Sequence, residues 1–262
     1  MAVDTKTLLQ LRKITGAGIN DCHEALEQSN NDIEKAIEFL RKKGTLKAAK
    51  KADRETKEGV IEIEISKDNK SGSIIAIHCE SDFVAKNNDF IQFVKNLAHH
   101  ALSGNVQEEF NGKKEGLILK IGENITLGAS ETLKGEYVEG YIHANKKVGV
   151  LVSFNEKIEN ELAHNVAIHI AAFNPSYTDK KNVPKEVIDK ELEIYHEQLK
   201  NEKKPEAIIE KIAQGKLQKF FEENCLLLQP FVKDDKKTVR EYLDGHSAGR
   251  KIEILSFIRY KI

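Results

Sequence analysis

The sequence has few cysteines and no excess of charge of either sign, and both deficits exclude classes of protein. Its three cysteines, Cys22, Cys79 and Cys225, are odd in number and far apart, so they predict neither a disulfide framework nor a zinc site. The 41 Lys and Arg residues nearly cancel the 42 Asp and Glu residues, and the formal net charge of -1 gives no overall attraction to nucleic acid or membranes. These features predict a protein of a reducing compartment.

Long apolar segments are also absent from the sequence. No run approaches the roughly 20 apolar residues that a helix needs to span a bilayer. The first residues, Met1 to Asp4, lack the basic region and the apolar stretch of a signal peptide. We therefore expect a cytoplasmic protein that does not associate with membranes. An organellar chain whose transit peptide has been removed is the alternative.

The motifs of common enzyme classes are missing as well. The sequence has no P-loop and no dinucleotide-binding glycine fingerprint, so we expect no direct binding of a nucleotide. None of the nine histidines lies at a metal-ligand spacing, and no Gly-x-Ser-x-Gly elbow is present. Cys79 lies near Asp82, but no histidine in that segment is placed to activate it, so we expect a buried strand cysteine. We predict no metal, no cofactor and no catalytic chemistry.

Residues 1–45 predict a compact module of three short helices. Gly16 is expected to end the first helix, Asn20 to cap the second, and Gly44 to close the third. This module is either a helical cap on the main domain or a detachable binding module. Residues 46–57, which carry alternating charges and few large apolar side chains, predict a charged linker.

Basic residues between Lys42 and Lys51 leave a second function open. They could contact phosphates, and a nucleic-acid or ribosome-binding module is therefore an alternative to a protein-binding one. The near-zero net charge and the lack of interleaved aromatic residues weigh against it. We expect that the protein requires no nucleic acid for its function.

A hairpin followed by a helix occurs twice in the middle of the chain. The predicted strands are Gly59–Ser66, Ser73–Cys79, Tyr137–His143 and Val148–Phe154, and the predicted helices run from Asn88 to about Leu102 and from Lys157 to about Phe173. The repeat predicts an α+β fold with two duplicated antiparallel sheet-plus-helix subdomains, N over 58–119 and C over 120–181. A strand following Lys120 is expected to enter the second sheet.

From residue 182 the pattern changes to two charged helices with narrow apolar seams. This pattern predicts an antiparallel coiled-coil hairpin inserted over 182–228, with its turn at 201–205. The chain is then expected to return to subdomain C over 229–262. Thr238 is expected to cap a short helix, and Ile252–Ile262 to form a final strand.

One stretch, Cys79–Asn87, places Asp82 beside Phe83 on a turn between the second strand and the first long helix. Turns normally expose polar residues, so a large apolar side chain there requires an explanation. In one interpretation Phe83 packs into the local core and Asp82 faces solvent. In the other, the pair projects into another molecule. The second copy passes almost directly from strand to helix through Phe154–Glu156, and this difference favours the second interpretation.

Several segments resemble the signatures of a known family, elongation factor Ts. They are Leu11–Gly18 with Asp21–Cys22 and Ala25–Leu26, Ser81–Asn87, His169–Ala172 with Pro175, and Gln229–Val232. The resemblance covers essentially the whole chain in the expected order. The sequence departs from the family at Ser81, where threonine is usual, and at Ile19–Asn20, where a methionine pair is often found.

The resemblance implies a guanine-nucleotide exchange factor for the GTPase elongation factor Tu. It implies that the N-terminal module is similar to ubiquitin-associated domains and docks on the nucleotide-binding domain of the GTPase. It also implies that the Asp82–Phe83 pair inserts near the phosphate and magnesium site, while the second half of the core holds a more distant domain. The implied contact residues are Ser81, Asp82, Phe83, Val84 and Ala85; Arg12, Gly16, Ala17, Gly18, Ile19 and Asn20 of the module; and His143 and His169 of subdomain C.

Overall fold

The computed structural model describes residues 3–199, 205–247 and 249–262. Its N-terminal part contains three helices, α1 (Thr5–Thr15), α2 (Ile19–Gln28) and α3 (Ile33–Lys51). Asp4 caps α1 by accepting a hydrogen bond from the Thr7 N–H (2.9 Å), and Gly16 ends this helix in the left-handed conformation at a φ of 66°. The three predicted helices are confirmed, and their apolar faces share one buried core.

Two predicted helix boundaries in this part are wrong. Gly18, not Asn20, precedes α2, because the fully packed Ala17 leaves only a short connection after Gly16 and Asn20 falls within the first turn. The third helix passes through Gly44 and continues to Lys51, so the first half of the predicted linker 46–57 is helical. Gly44 is a packing position, because an added Cβ there would lie 3.1 Å from the carbonyl oxygen of Glu115 on a neighbouring helix.

The first sheet has three antiparallel strands, β1 (Glu58–Ile65), β2 (Ser71–Cys79) and β3 (Ile125–Lys134), in the order β1-β2-β3. Between β2 and β3 lie a one-turn helix α4 (Asp82–Ala85), α5 (Asn88–Ala101) and α6 (Val106–Ile121). The prediction that the strand after Lys120 enters the second sheet is wrong. Ile125 and Leu127 of β3 join the apolar cluster beneath α5 and α6, and this contact fixes the strand beside β2.

The second sheet is formed by β4 (Tyr137–Ile142) and β5 (Val148–Phe154), and the helix α7 (Asn160–Phe173) follows them along the chain. Two longer helices, α8 (Lys185–Leu199) and α9 (Glu206–Asn224), come next and pack against each other. Of the hairpin turn predicted at 201–205, residues 201–204 lie outside the described residues.

The last part of the chain returns to the second sheet, as predicted. A short ribbon of β6 (Pro230–Phe231) and β7 (Asp234–Thr238) leads into α10 (Val239–Gly245), which Thr238 caps in a reciprocal capping box with Glu241. The final strand β8 (Ile254–Lys261) pairs antiparallel with β5 and gives the sheet order β4-β5-β8. The predicted cap and the predicted final strand are confirmed.

The two sheets pack face to face, with helices on their outer sides. The cluster between the sheets consists of Ile61, Ile74, Ala76, Val138 and Leu151. Alternation along β2 sends Ile75, Ile77 and Cys79 to the opposite side, where they pack against α5. Each hairpin and the helix that follows it therefore provide one half of a layered body. That the two halves are diverged copies stays a prediction.

Candidate functional site

The one-turn helix α4 and its cap form the predicted contact element, which we call the wedge turn (Ser81–Ala85). The Ser81 hydroxyl caps the turn by accepting a hydrogen bond from the Val84 N–H (3.4 Å). Val84 is buried in the cluster beneath α5, whereas the side chain of Phe83 is 82% exposed. The interpretation that Phe83 packs into the local core is therefore wrong. Val84 anchors the turn, and Phe83 projects from it.

Asp82 is also at the surface of the wedge turn. Its Oδ2 accepts a hydrogen bond from the ammonium group of Lys86 at 2.6 Å, one helical turn later. This hydrogen bond lowers the pKa of Asp82 below its ordinary value and raises the pKa of Lys86. The wedge turn therefore presents a negative charge beside an exposed phenyl ring at neutral pH.

Three residues that sequence reasoning missed hold the wedge turn or flank it. Besides Lys86, Glu123 accepts hydrogen bonds from the backbone N–H groups of Glu80 (3.1 Å) and Ser81 (2.9 Å). Lys120 at the end of α6 forms an ion pair with Asp89 (2.7 Å), just after the turn. Only Lys86 had a signal in the sequence, because its position four residues after Asp82 suits a helical ion pair.

A cleft separates the wedge turn from the hairpin that joins β4 and β5. Its volume is about 630 Å³, and it is lined on one side by Asp82, Ala85 and Lys86 and on the other by the segment Ala144–Lys147. This segment directly follows His143, which is exposed and whose Nδ1 forms a hydrogen bond with the Tyr141 hydroxyl (3.0 Å). The fold thus brings the region of His143 to the same side of the molecule as Asp82.

His169 does not share this exposed environment. The ring is 0% exposed; its Nε2 lies 3.0 Å from Gln229 Oε1, and its Nδ1 accepts a hydrogen bond from the Val232 N–H (3.2 Å). Burial lowers the pKa of this imidazole, and both contacts fit a neutral ring. A direct contact between the His169 side chain and a partner is therefore contradicted by its burial. The ring instead stacks on Phe173, which is half-exposed.

The predicted contact residues of the N-terminal module divide into exposed and buried groups. Arg12, Gly18, Ile19 and Asn20 are exposed, whereas Ala17 is buried and supports the turn between α1 and α2. Two further large apolar side chains, Leu9 and Ile14, are also exposed on α1. Apolar residues all around a short helix are a signal of a second, external contact.

Lys120 joins this module to the first turn of α5, which follows the wedge turn along the chain. Its aliphatic stem lies against Gly16, where an added Cβ would come within 2.9 Å of the lysine Cε, and its ammonium group reaches Asp89. The turn after α1 therefore lies beside the beginning of α5. Residues that are far apart in the sequence form one continuous side of the protein.

In ranges 3–199, 205–247 and 249–262, no group of three or more His, Cys, Asp or Glu side chains could hold a metal ion. No helix within those ranges is both long enough and apolar enough to cross a bilayer. Cys79 is buried, as predicted, and burial raises the pKa of its thiol to about 12, so it is a poor nucleophile at neutral pH.

Comparison with known proteins gives one consistent family. A family model described as elongation factor TS matches residues 80–262, and one described as a UBA-like domain matches residues 2–44. The chain is 43% identical to elongation factor Ts of Nitratiruptor sp., over 100% of this chain and 93% of that protein. It is 42% identical to elongation factor Ts of Christiangramia forsetii, over 95% of each chain. It is 39% identical to elongation factor Ts of Aquifex aeolicus, over 100% of this chain and 98% of that protein.

Proposed function

The chain belongs to the elongation factor Ts family, and from this premise we propose that it is a nucleotide exchange factor for elongation factor Tu. It binds the GDP-loaded GTPase in the cytoplasm and accelerates release of GDP, so that GTP can replace it. The protein contributes binding energy and carries out no bond-making chemistry of its own. The observation that supports this function best is the exposed Phe83 on a capped, internally anchored turn.

The wedge turn acts by stabilising a GTPase conformation that binds GDP poorly. Phe83 supplies apolar area for insertion between elements of the partner, since a large exposed aromatic side chain is a strong anchor in an interface. Asp82 brings its negative charge toward the site where the GTPase holds magnesium and the phosphates of GDP. A carboxylate close to phosphate disfavours the phosphate by charge repulsion. Both effects favour loss of GDP.

The other contact surfaces provide affinity around the wedge turn. The N-terminal module binds the nucleotide-binding domain through the exposed residues of α1 and α2, among them Arg12, Ile14 and Ile19. His143 contacts the partner beside the cleft. The second half of the core, as a diverged copy of the first, holds a more distant domain of elongation factor Tu. Within that half of the core, His169 orients Phe173 and Val232. The hairpin of α8 and α9 is the coiled-coil insertion of the family.

The nucleic-acid alternative is weakened by the environment of the basic segment 42–51. Lys43 and Lys47 both form ion pairs with Asp21, at 2.8 and 3.0 Å, and Lys42 forms one with Glu38. Lys51 donates a hydrogen bond to the Gly122 carbonyl. These cations serve contacts within the protein, and a phosphate-binding surface would have to break them.

The proposed function is tested by following release of fluorescent GDP from elongation factor Tu. We expect the wild-type chain at micromolar concentration to accelerate release, and Phe83→Ala or Asp82→Ala to slow it. Leu46→Ala is the matched control, because Leu46 is another exposed apolar residue, on α3 and outside the proposed contact surfaces. Absence of acceleration by the wild-type chain would rule out the proposed function.

A further inference from the structure

The five residues 120–124 contact both the wedge turn and the N-terminal module, and we call them the connecting segment. They comprise the end of α6, the left-handed Gly122 (φ 87°) that terminates it, and the two residues before β3. In the sequence this stretch indicated only the approach to a strand. Its position between two proposed contact surfaces calls for an explanation.

Glu123 is the residue of the connecting segment that holds the wedge turn. One carboxylate oxygen accepts hydrogen bonds from the Glu80 and Ser81 N–H groups, and the other accepts the proton of the Ser81 hydroxyl at 2.5 Å. Because that proton is directed to Glu123, the Ser81 oxygen is free to accept from the Val84 N–H and cap α4. The carboxylate therefore fixes the backbone before α4 and the cap of α4 together.

The same segment is tied to the N-terminal part of the chain. The Asn124 side chain donates hydrogen bonds to the carbonyl oxygens of Ala52 (3.3 Å) and Arg54 (2.9 Å), which follow α3. Its backbone N–H donates to Glu80 Oε1 at 2.6 Å. Lys120, between Gly16 and Asp89, adds the contact already described. Displacement of the connecting segment would thus shift both surfaces.

We propose that Glu123 is the positioning residue of the wedge turn, and that the connecting segment fixes this turn relative to the N-terminal module. This inference rests on the proposed exchange activity. It explains how the wedge turn is held in its binding conformation before the GTPase binds. Phe83 has few contacts of its own to fix its direction, because its side chain is exposed. A turn already fixed before binding loses less conformational entropy in the complex.

The test measures GDP release from elongation factor Tu with Glu123→Ala, Glu123→Gln and the matched carboxylate variant Glu131→Ala. Glu131, on β3, accepts a hydrogen bond from Tyr260 and does not touch the wedge turn. We expect Glu123→Ala to lower the stimulated rate about fivefold to tenfold, as expected for loss of preorganisation. Glu123→Gln, which retains an acceptor, should restore part of the rate. Glu131→Ala should match the wild type.

A double-mutant cycle separates positioning from general loss of stability. If Glu123 acts through Phe83, Glu123→Ala should change the rate less than about twofold when Phe83 is already alanine. A full, independent loss in that background would overturn the inference, as would wild-type rates for both Glu123 variants.

Amide hydrogen exchange of the free protein provides a readout that does not depend on exchange activity. Glu123→Ala should speed exchange at the N–H groups of Ser81 and Val84, while amides of β5 stay protected. Unchanged protection at Ser81 and Val84 would overturn the positioning role even if the GTPase assay showed no activity. If the wild-type chain is inactive in the GTPase assay but Glu123→Ala still loses protection at Ser81 and Val84, only the exchange function is refuted and the positioning role stands.

Discussion

Phe83 and Phe90 lie on either side of the Asn87 cap and have opposite environments. Phe83 is exposed on the wedge turn, whereas Phe90, in the first turn of α5, is fully buried. We expect Phe83→Ala to change the free energy of unfolding by less than about 0.5 kcal/mol. Phe90→Ala should cost about 3–5 kcal/mol, because it leaves a cavity. Urea unfolding of both variants checks this contrast, and a loss of several kcal/mol for Phe83→Ala would show that it contributes to the core.

The buried imidazole of His169 should make stability depend on pH. Burial lowers its pKa in the folded protein, so the unfolded chain binds the proton more readily. Its contribution is fully present above the unfolded pKa of about 6.5 and is lost as pH falls through the lowered folded pKa. Denaturation at pH 7.5 and 5.5 should show a smaller loss of stability for His169→Gln than for the wild type. Equal losses would contradict a neutral buried ring.

How much of the site could be predicted differs from one residue to the next. Comparing the two hairpin-helix units indicated that Phe83 projects outward, because the second unit lacks a corresponding turn. The partner that fixes the turn could not be predicted. Glu123 is 42 residues from Ser81 in the sequence, and only the pairing of β3 with β2 brings the two together. Likewise, nothing in the local pattern around His169 indicated that Gln229 and Val232 would enclose it.

At the scale of elements, the sequence predicted the hairpins well and the helix ends poorly. Short apolar runs rich in β-branched residues give a clear signal on β2 and β5, because these two strands are buried on both sides. Gly44 gave a misleading signal for the end of α3. It lies inside that helix, because close contact with α6 favours glycine there. The helix α6 itself has interior glycines, Gly112 and Gly116, and its stability depends on packing against α3 and α5.

Close approach of the two sheets leads to a prediction at Gly149 on β5. A Cβ there would lie 2.5 Å from the Ile61 side chain of the opposite sheet. We expect Gly149→Ala to destabilise the protein by about 1–3 kcal/mol through overpacking. Gly215→Ala in α9 is the control, because no atom lies within 4 Å of its added Cβ. Within α9, Gly215→Ala should stabilise the protein by up to about 1 kcal/mol, because alanine has the higher helix propensity. Equal effects in urea unfolding would argue against tight sheet packing.

For the whole molecule, the structure joins the three proposed contact regions on a single scaffold. The module lies beside the first sheet through the packing of α3 on α6, and the cleft places the β4–β5 hairpin opposite the wedge turn. The family resemblance implied that different surfaces of the protein contact different parts of the GTPase. It could not show that α3 runs without a break from the module to Lys51 and packs against α6, which gives the module a defined place beside the first sheet. A defined arrangement of surfaces suits a protein that imposes a conformation on its partner.

Imposing a conformation has a thermodynamic consequence for the proposed exchange function. If the protein lowers the affinity of elongation factor Tu for GDP by a certain factor, GDP must lower the affinity for the protein by the same factor. Couplings of this kind are typically about 5- to 150-fold. Titration calorimetry of all four binding steps should therefore give two equal ratios. A chain that binds both states of the GTPase equally tightly would shift no equilibrium and would not fit the proposal.

The same measurement distinguishes a wedge from an ordinary contact. If Phe83 only adds affinity, Phe83→Ala should weaken binding to nucleotide-free and GDP-bound elongation factor Tu by the same factor, and the coupling ratio should not change. If Phe83 opposes GDP, the variant should lose affinity mainly for the nucleotide-free form, so the ratio falls toward one. We expect the second result for Phe83→Ala and the first for Ile19→Ala in the N-terminal module, because Ile19 lies on a surface proposed only to hold the partner. An unchanged ratio for Phe83→Ala would assign the exchange activity to another part of the protein.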